Sequence, residues 1–163
     1  MNRPALFTLS FAILVTDQIT KACISRNFDV DSSRPIIPGF FSLTYVRNTG
    51  GAFGIMPGGT SGLAFAAAVA AVAIIVYALR ARMPLPTLLS LALSLPLGGA
   101  VGNLIDRVRL HYVVDFFDLH IGTHQWPVFN VADSAICLGV AALAISVWRQ
   151  PARSVVPAAA ETE

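Results

Sequence analysis

Four long apolar stretches divide the chain, and most of its polar residues lie between the first and second or between the third and fourth. The stretches run over about residues 4–20, 60–79, 87–105 and 128–148. A membrane-spanning helix needs about 20 mostly apolar residues, with roughly 17 as the lower limit. The pattern therefore predicts a mainly α membrane protein with four transmembrane helices.

A period of two in hydrophobicity appears in the polar segment between the first and second stretches. Within residues 36–47, the apolar positions 41, 43 and 45 alternate with the polar positions 42 and 44. This alternation is typical of a strand, and the residues that follow, 48–51 (NTGG), are typical of a turn. We expect a small extracytoplasmic β-sheet between helices 1 and 2. It would lie on the membrane, and three phenylalanines would be able to touch lipid: Phe40, Phe41 and Phe53.

Composition agrees with a membrane location. Hydrophobic residues make up 55% of the chain and charged residues 12%, and the mean hydropathy is +0.69, whereas soluble domains carry about 25% charged residues. The net charge of +2, without a long basic run, does not indicate a nucleic-acid partner. With 163 residues, we expect a single domain over residues 1–150 and a disordered cytoplasmic tail over residues 151–163.

The first stretch has some features of a secretory signal, because Arg3 precedes it and Ala22 and Cys23 follow it. Asp17 and Lys21 crowd the corresponding cleavage site, however, and three further apolar stretches follow. An uncleaved first helix is therefore the better interpretation.

Four spans place both termini on one side of the membrane, which the positive-inside rule assigns to the cytoplasm. The rule discriminates only modestly here, since five basic residues fall inside and six outside. All seven aspartates, in contrast, fall in or beside the two outer segments. We therefore expect the polar chemistry at the outer face of the membrane.

Asp115 and Asp133, each flanked by apolar residues, are the main candidates for chemistry. An ionisable residue beside a membrane segment is costly and indicates function, and two carboxyl groups that share a proton can activate water. Both aspartates also have simpler interpretations. Asp115 is equally well an exposed loop acid, and Asp133 equally well the acid of a capping box begun by Asn130. Either aspartate could hold the proton.

Other polar residues occur within or beside the apolar stretches. Asp17 and Lys21 have the spacing of an i,i+4 ion pair that would cap the end of the first span. Asn103 needs buried partners, and helical spacing places it near Asp106 and Arg107. The glycines at positions 98 and 102 form a G-x-x-x-G face, which we interpret as plain helix packing.

The histidines and cysteines offer little support for a metal or a covalent nucleophile. His120 and His124 have helical i,i+4 spacing, but Gly122 lies between them and no H-E-x-x-H motif occurs. We therefore expect no metal and no cofactor. The two cysteines do not form a disulfide framework, and we expect Cys137 to be a small buried apolar residue.

Five segments in this order resemble the lipoprotein signal peptidase (signal peptidase II) family, over nearly the whole chain as far as Trp148. They are DQITK (17–21), VRNTGGAFGI (46–55), GGAVGNLIDR (98–107), VVDFFD (113–118) and FNVADS (129–134). The one departure is Gly51, where the family more often has alanine.

The resemblance implies an intramembrane aspartic endopeptidase of the bacterial inner membrane, with Asp115 and Asp133 as the catalytic pair. It also implies five supporting or substrate-binding residues: Asp17, Asn48, Asn103, Arg107 and Asn130. The implied substrate is a diacylglyceryl-modified prolipoprotein, cut just before the lipidated lipobox cysteine in contact with membrane lipid. Inhibition by cyclic peptides of the globomycin type is implied too, and we expect a monomer.

Three alternatives belong to other classes. A proton-coupled transporter would use Asp17, Asp106, Asp115 and Asp133 as a relay, but transport favours acids near the bilayer midplane, and these lie at span ends. An assembly protein held by G-x-x-x-G contacts leaves the aspartates without a role. A zinc peptidase would lose activity with a chelator, whereas an aspartic peptidase would not.

Overall fold

The computed structural model describes residues 1–50, 59–82, 84–122 and 124–149, and in this part of the chain it has four long helices and four strands. The helices are α1 (Arg3–Asn27), α2 (Thr60–Arg80), α3 (Thr87–Leu110) and α4 (Val131–Trp148). The strands are β1 (Ser33–Ile37), β2 (Phe41–Asn48), β3 (Val113–Ile121) and β4 (His124–Gln125). Three features predicted above lie outside the described residues: Gly51, Phe53 and the tail.

All four helices are long and apolar enough to cross a membrane. They contain 18 to 25 residues, which at 1.5 Å per residue gives about 27 to 38 Å, against a hydrocarbon core of about 30 Å. The prediction of a mainly α membrane protein is therefore confirmed. Two helices continue beyond the ends of the predicted apolar stretches, α1 to Asn27 and α3 to Leu110. They do so because Lys21 and Asp106, the first charged residues of these extensions, are buried and pair with each other.

The start of α1 lies against the connection between α2 and α3. Asn2 caps α1 by accepting a hydrogen bond from the Ala5 amide at 3.0 Å. The Arg3 guanidinium donates to the carbonyl groups of Ala78, Leu79 and Ala81 at the end of α2. These bonds satisfy carbonyl groups that have no partner inside their own helix. They also fix the N-terminus and the α2–α3 connection at one end of the bundle.

Helix α3 lies at the centre of the bundle, and its glycines allow neighbouring helices to approach closely. A Cβ atom added at Gly98 would lie 2.5 Å from the Ser10 carbonyl oxygen of α1. One added at Gly99 would lie 2.5 Å from the Ala132 carbonyl oxygen of α4. One added at Gly102 would lie 2.5 Å from Oδ2 of Asp17. The interpretation of Gly98 and Gly102 as packing residues therefore agrees with the structure.

The strands form one antiparallel sheet in the order β1-β2-β3-β4. The predicted sheet between helices 1 and 2 is confirmed as β1 and β2. It is not one continuous strand over residues 36–47, however, because the chain turns between β1 and β2 at Gly39, which has φ +75°. The α3–α4 connection adds β3 and β4, which the sequence did not predict. Residues 113–116 are all buried, so β3 lacks the alternation that reveals a half-exposed strand.

Two apolar clusters stabilise this arrangement. One joins α1, α2 and α3 and includes Leu6, Ala78 and Leu97. The other packs Ile24 of α1 against Tyr45 of β2 and against the start of β3. The second cluster fixes the sheet on the end of the helical bundle that carries most of the aspartates.

Candidate active site

Asp115 lies on the buried strand β3, where it is opposite Val46 of β2. Its side chain is 1% exposed, so the interpretation as an exposed loop acid is wrong. Asn48 donates from Nδ2 to Asp115 Oδ2 at 2.8 Å, and Asn130 donates from Nδ2 to Asp115 Oδ1 at 2.6 Å. Both oxygens are thus held by amide groups from different elements.

The surroundings of Asp115 raise the pKa of its carboxyl group. Burial raises the pKa of Asp115 to about 7, and the negative charge of Asp133 acts in the same direction. The hydrogen bonds from Asn48 and Asn130 and the positive charge of Lys21 act in the opposite direction. A buried carboxyl group with this pKa is able to give or accept a proton near neutrality.

Asp133 lies in the first turn of α4, where it forms the capping box predicted from sequence. Its backbone N–H donates to Asn130 Oδ1 at 2.9 Å, and the backbone N–H of Asn130 donates to Asp133 Oδ2 at 3.2 Å. The other carboxyl oxygen, Oδ1, accepts from Asn103 Nδ2 at 2.8 Å. The cap therefore fixes Asp133 while its partly exposed carboxyl group still lines a cavity.

Asn130 connects the two aspartates. Its side chain is 0% exposed, its Nδ2 bonds to Asp115, and its Oδ1 accepts from the backbone of Asp133. Both aspartates line one cavity of about 250 Å³, together with Asn48, Asn103 and Arg107. Five of the seven predicted site residues line this cavity, and Asn130 lies directly behind it.

The apolar part of the cavity lining comes from the start of α4 and the segment before it. It includes Trp126, Pro127, Val128 and Cys137. Cys137 is exposed, so the expectation that it is buried is wrong. It follows Asp133 by one helical turn and therefore faces the same cavity.

Arg107 has unused hydrogen-bonding capacity at the cavity. Its Nη1 donates to the Asn103 carbonyl oxygen at 3.4 Å and its Nη2 to the Gly50 carbonyl oxygen at 3.3 Å. Its buried Nε has no hydrogen-bond partner among the described residues. Because Gly50 in turn donates to Asn48 Oδ1 at 2.9 Å, the Arg107 side chain and the Asn48 amide are fixed together.

A family model described as signal peptidase (SPase) II matches residues 9–149 of this chain. The chain belongs to the signal peptidase II family. The lipoprotein signal peptidase of Syntrophotalea carbinolica is 44% identical over 91% of this chain and 93% of its own length. That of Geobacter sulfurreducens is 48% identical over 86% of this chain and 89% of its own length.

A solved bacterial membrane enzyme, determined by the in meso method at 2.3 Å resolution, has the same fold. It superposes with a TM-score of 0.81 at 31% identity, over 89% of this chain and 88% of its own. A second such structure, at 1.9 Å resolution, superposes with a TM-score of 0.79 at 30% identity, over 91% of this chain and 95% of its own. Membership makes this chain a signal peptidase and a multi-pass protein of the inner membrane. The transporter and assembly-protein alternatives are thereby set aside.

Asp17 is the one predicted site residue of this signal peptidase that lies away from the cavity. Its Oδ1 accepts from the Ala132 amide at 3.0 Å, and its Oδ2 pairs with Lys21 Nζ at 2.9 Å. The expected ion pair of Asp17 and Lys21 is confirmed, but it is buried within the bundle and does not cap a helix end. Lys21 also contacts Asp106 and Asn103, which its sequence spacing alone did not reveal.

The histidines of this signal peptidase lie on strands, so their helical spacing was misleading. His120 is on β3 and His124 on β4, on either side of a turn. His120 pairs with Asp118 at 3.1 Å. Burial opposes ionisation of Asp118, but hydrogen bonds from Thr44 and Gln125 and the pair with His120 lower its pKa overall. Within the described residues, no group of three or more His, Cys, Asp or Glu side chains is arranged to hold a metal.

Proposed function

We propose that this signal peptidase is an intramembrane aspartic endopeptidase whose catalytic pair is Asp115 and Asp133. One observation carries the proposal: both carboxyl groups line the same cavity, and Asn130 bonds to both residues. Two carboxyl groups held in one site, in different surroundings, can divide the roles of acid and base.

Asp133 acts as the general base and Asp115 as the general acid. Asp133 takes a proton from water as the water oxygen attacks the scissile carbonyl carbon, while Asp115 gives its proton to the carbonyl oxygen. The C–N bond then breaks as Asp133 passes its proton to the leaving amine, and Asp115 recovers a proton from the tetrahedral intermediate. Each carboxyl group returns to its starting state, and the reaction requires neither a covalent enzyme intermediate nor a metal.

The remaining predicted residues support this chemistry. Asn48 and Arg107 line the cavity and have donors that can hold the carbonyl groups of a bound peptide. Asn103 and Asn130 fix the orientation of Asp133, and Asp17 fixes the start of α4 through the Ala132 amide.

The substrate is a prolipoprotein whose lipobox cysteine already carries diacylglycerol, and the cut falls just before that cysteine. The relatives described above are named lipoprotein signal peptidases, and the apolar wall of the cavity suits a lipidated residue next to membrane lipid. Cyclic peptides of the globomycin type inhibit the enzyme by occupying the same cavity. The enzyme is a monomer with one domain over residues 1–150, and the tail over 151–163 is cytoplasmic.

The active site faces the outer side of the membrane, and both termini face the cytoplasm. The N-terminus and the α2–α3 connection share one end of the bundle, where Arg3 bonds to the end of α2. The cavity is formed at the end of α3 and the start of α4, which is the opposite end. A signal helix that crosses the membrane from the cytoplasm presents its lipidated cysteine at that outer end.

Purified protein in detergent tests this function on two forms of one precursor, with and without the diacylglyceryl group. We expect cleavage of the lipidated form alone, unaffected by a metal chelator, with mass spectrometry showing the modified cysteine as the new N-terminus. Cleavage at another bond, equal cleavage of both forms, or loss of activity with the chelator would contradict the proposal.

A further inference from the structure

Lys21 is a buried cation that the mechanism above does not use. Its side chain is 3% exposed, and an ammonium group has three hydrogens to donate and no acceptor. Lys21 Nζ lies 2.9 Å from Asp17 Oδ2, 3.0 Å from Asp106 Oδ2 and 2.8 Å from Asn103 Oδ1. The two carboxylates account for its burial, but an ion pair does not require the third contact, with a neutral amide.

The contact with Asn103 determines which way that amide points. Because the ammonium can only donate, it can face only the carbonyl oxygen of Asn103. The same oxygen accepts from Asn130 Nδ2 at 3.3 Å. The Asn103 amino group is therefore directed at Asp133 Oδ1, at 2.8 Å. An amino group in that position stabilises a carboxyl oxygen that carries no proton.

We propose that Lys21 is a positioning residue for the catalytic pair, which acts by holding Asn103 so that its amino group supports the ionised form of Asp133. The proposal rests on the proposed roles of Asp115 and Asp133. Two consecutive hydrogen bonds support the proposal, one from Lys21 Nζ to Asn103 and one from Asn103 to Asp133. Lys21 itself touches neither aspartate of the pair through any contact of the described residues.

The charged groups around Lys21 come from every element packed against it. They are Asp17 and Arg26 on α1, Asp106 and Arg109 on α3 and Asp115 on β3, while Asp133 on α4 and Arg107 on α3 contact the far side of Asn103. Removing Lys21 therefore has two separable effects, since it removes the shorter of the two bonds to the Asn103 oxygen and also removes one positive charge from beside Asp17 and Asp106. The variants below separate rotation of the amide from the change in charge.

Without Lys21, only the longer bond from Asn130 Nδ2 directs the Asn103 oxygen away from Asp133, so the amide turns more readily into the orientation that suits a protonated carboxyl group. The pair then takes up its second proton more readily, and the enzyme loses its base at a higher pH. For Lys21→Met we expect the acid limb of the pH–rate profile to move up by about one pH unit, equivalent to a tenfold change in protonation.

Two comparison variants make the test specific. Lys21→Met with Asp106→Asn removes one charge of each sign, so the net charge of the cluster is unchanged while Asn103 still loses its partner. Asp17→Asn removes one of the two ion pairs of Lys21, leaves the pair with Asp106, and leaves the Lys21–Asn103 bond in place. The profile of kcat/KM against pH is measured for each variant in detergent, together with infrared titration of the carboxyl bands, which needs no substrate.

The proposal expects the acid limb to move up in both Lys21 variants and to stay at the wild-type position in Asp17→Asn. If the acid limb moves in opposite directions in Lys21→Met and Asp17→Asn and does not move in the double variant, then charge alone sets its position. That result would overturn the positioning role of Lys21. Reduced stability without any shift would show a purely structural role and would also overturn it.

Failure of the proposed function and failure of the proposed role of Lys21 give different results. If wild-type protein does not cleave the lipidated precursor, the proposed function fails, and the infrared titration of the same variants still decides the role of Lys21. If Lys21→Met alone does not fold, the charge-balanced double variant decides it.

Discussion

Helix α3 is packed by apolar side chains toward its start and by polar groups toward its end. At the start, Leu93 and Leu97 belong to the apolar cluster that includes Leu6 of α1. At the end, the buried Asn103 and Asp106 bond to side chains of α1 and α4 and to the backbone of β3. Helices in lipid associate through packing and hydrogen bonds. The start of α3 associates through packing, and its end through both packing and hydrogen bonds.

This contrast shows which part of the bundle must adopt a single arrangement of its side chains. Apolar contacts are tolerant, since side chains of similar volume can replace one another with modest loss. A buried polar cluster is satisfied in one arrangement only, because each unpaired donor or acceptor is costly. The apolar end therefore sets the stability of the bundle, while the polar end sets the positions of the aspartates. Substitutions at each end test this division.

The largest combined loss of stability and activity is expected for Gly102→Ala at the polar end. The added Cβ would lie 2.5 Å from Asp17 Oδ2, which forces Asp17 away from Lys21 and from the start of α4. We expect a loss of about 2 kcal/mol in unfolding free energy and most of the activity with it. The matched control is Gly62→Ala on α2, where nothing lies within 4 Å, so alanine should be neutral or slightly stabilising. Equal stability and activity of the Gly102→Ala and Gly62→Ala variants would contradict the proposed role of the polar end.

At the apolar end, Leu6→Ala is expected to affect stability without affecting chemistry. Leu6 is 0% exposed within its cluster, and such a truncation costs about 3 kcal/mol. Thermal unfolding in detergent measures this cost, and kcat/KM against pH measures the chemistry of the folded fraction. A displaced pH profile would show that the two ends are coupled more strongly than the account allows.

A smaller, pH-dependent effect is expected for Asp115→Asn. The pKa of Asp115 is raised from 3.8 to about 7, so between these values the folded protein binds more protons than the unfolded chain. The contribution of Asp115 to stability therefore falls as pH rises through this window. Asparagine carries no charge, so the variant should gain about 2 kcal/mol relative to wild type from about pH 5 to about pH 7. Parallel stability curves for the two proteins would contradict the raised pKa.

The smallest effect is expected for Ser90→Ala at the apolar end. The buried Ser90 hydroxyl has no hydrogen-bond partner among the described residues. Removing it should leave stability unchanged or raise it by about 1 kcal/mol, with activity unaltered. A clear loss of thermal stability would mean that the hydroxyl has a partner after all.

Hydropathy alone located the four helices, but it placed the ends of two of them too early. Ending the first stretch before the charged Lys21 places the end of α1 too early, because Lys21 is buried against its partners on α3. Those partners are more than 80 positions away in sequence, so no local pattern reveals them. Local spacing did reveal the capping box of Asn130 and Asp133, because a cap depends on neighbouring residues.

The candidate pair was recognised by its residue type and its apolar neighbours, but not by its local structure. Asp115 was equally consistent with an exposed loop, because a strand buried on both faces has no alternation to distinguish it. Its burial depends on pairing with β2, which is over 60 residues earlier. The residues alone suggested the pair of Asp115 and Asp133 but left a simpler interpretation open for each, and the resemblance to a family favoured the catalytic one.

Cleavage of the lipidated precursor by Asp115→Asn and Asp133→Asn shows whether these two aspartates are the catalytic pair. Asp118→Asn is the matched control, because Asp118 is also buried on β3 but contacts Thr44 and Gln125 outside the cavity. We expect each variant of the pair, although folded, to lose activity by about 10³-fold, while Asp118→Asn retains most of its activity. Cleavage at close to the wild-type rate by either variant of the pair would contradict the account.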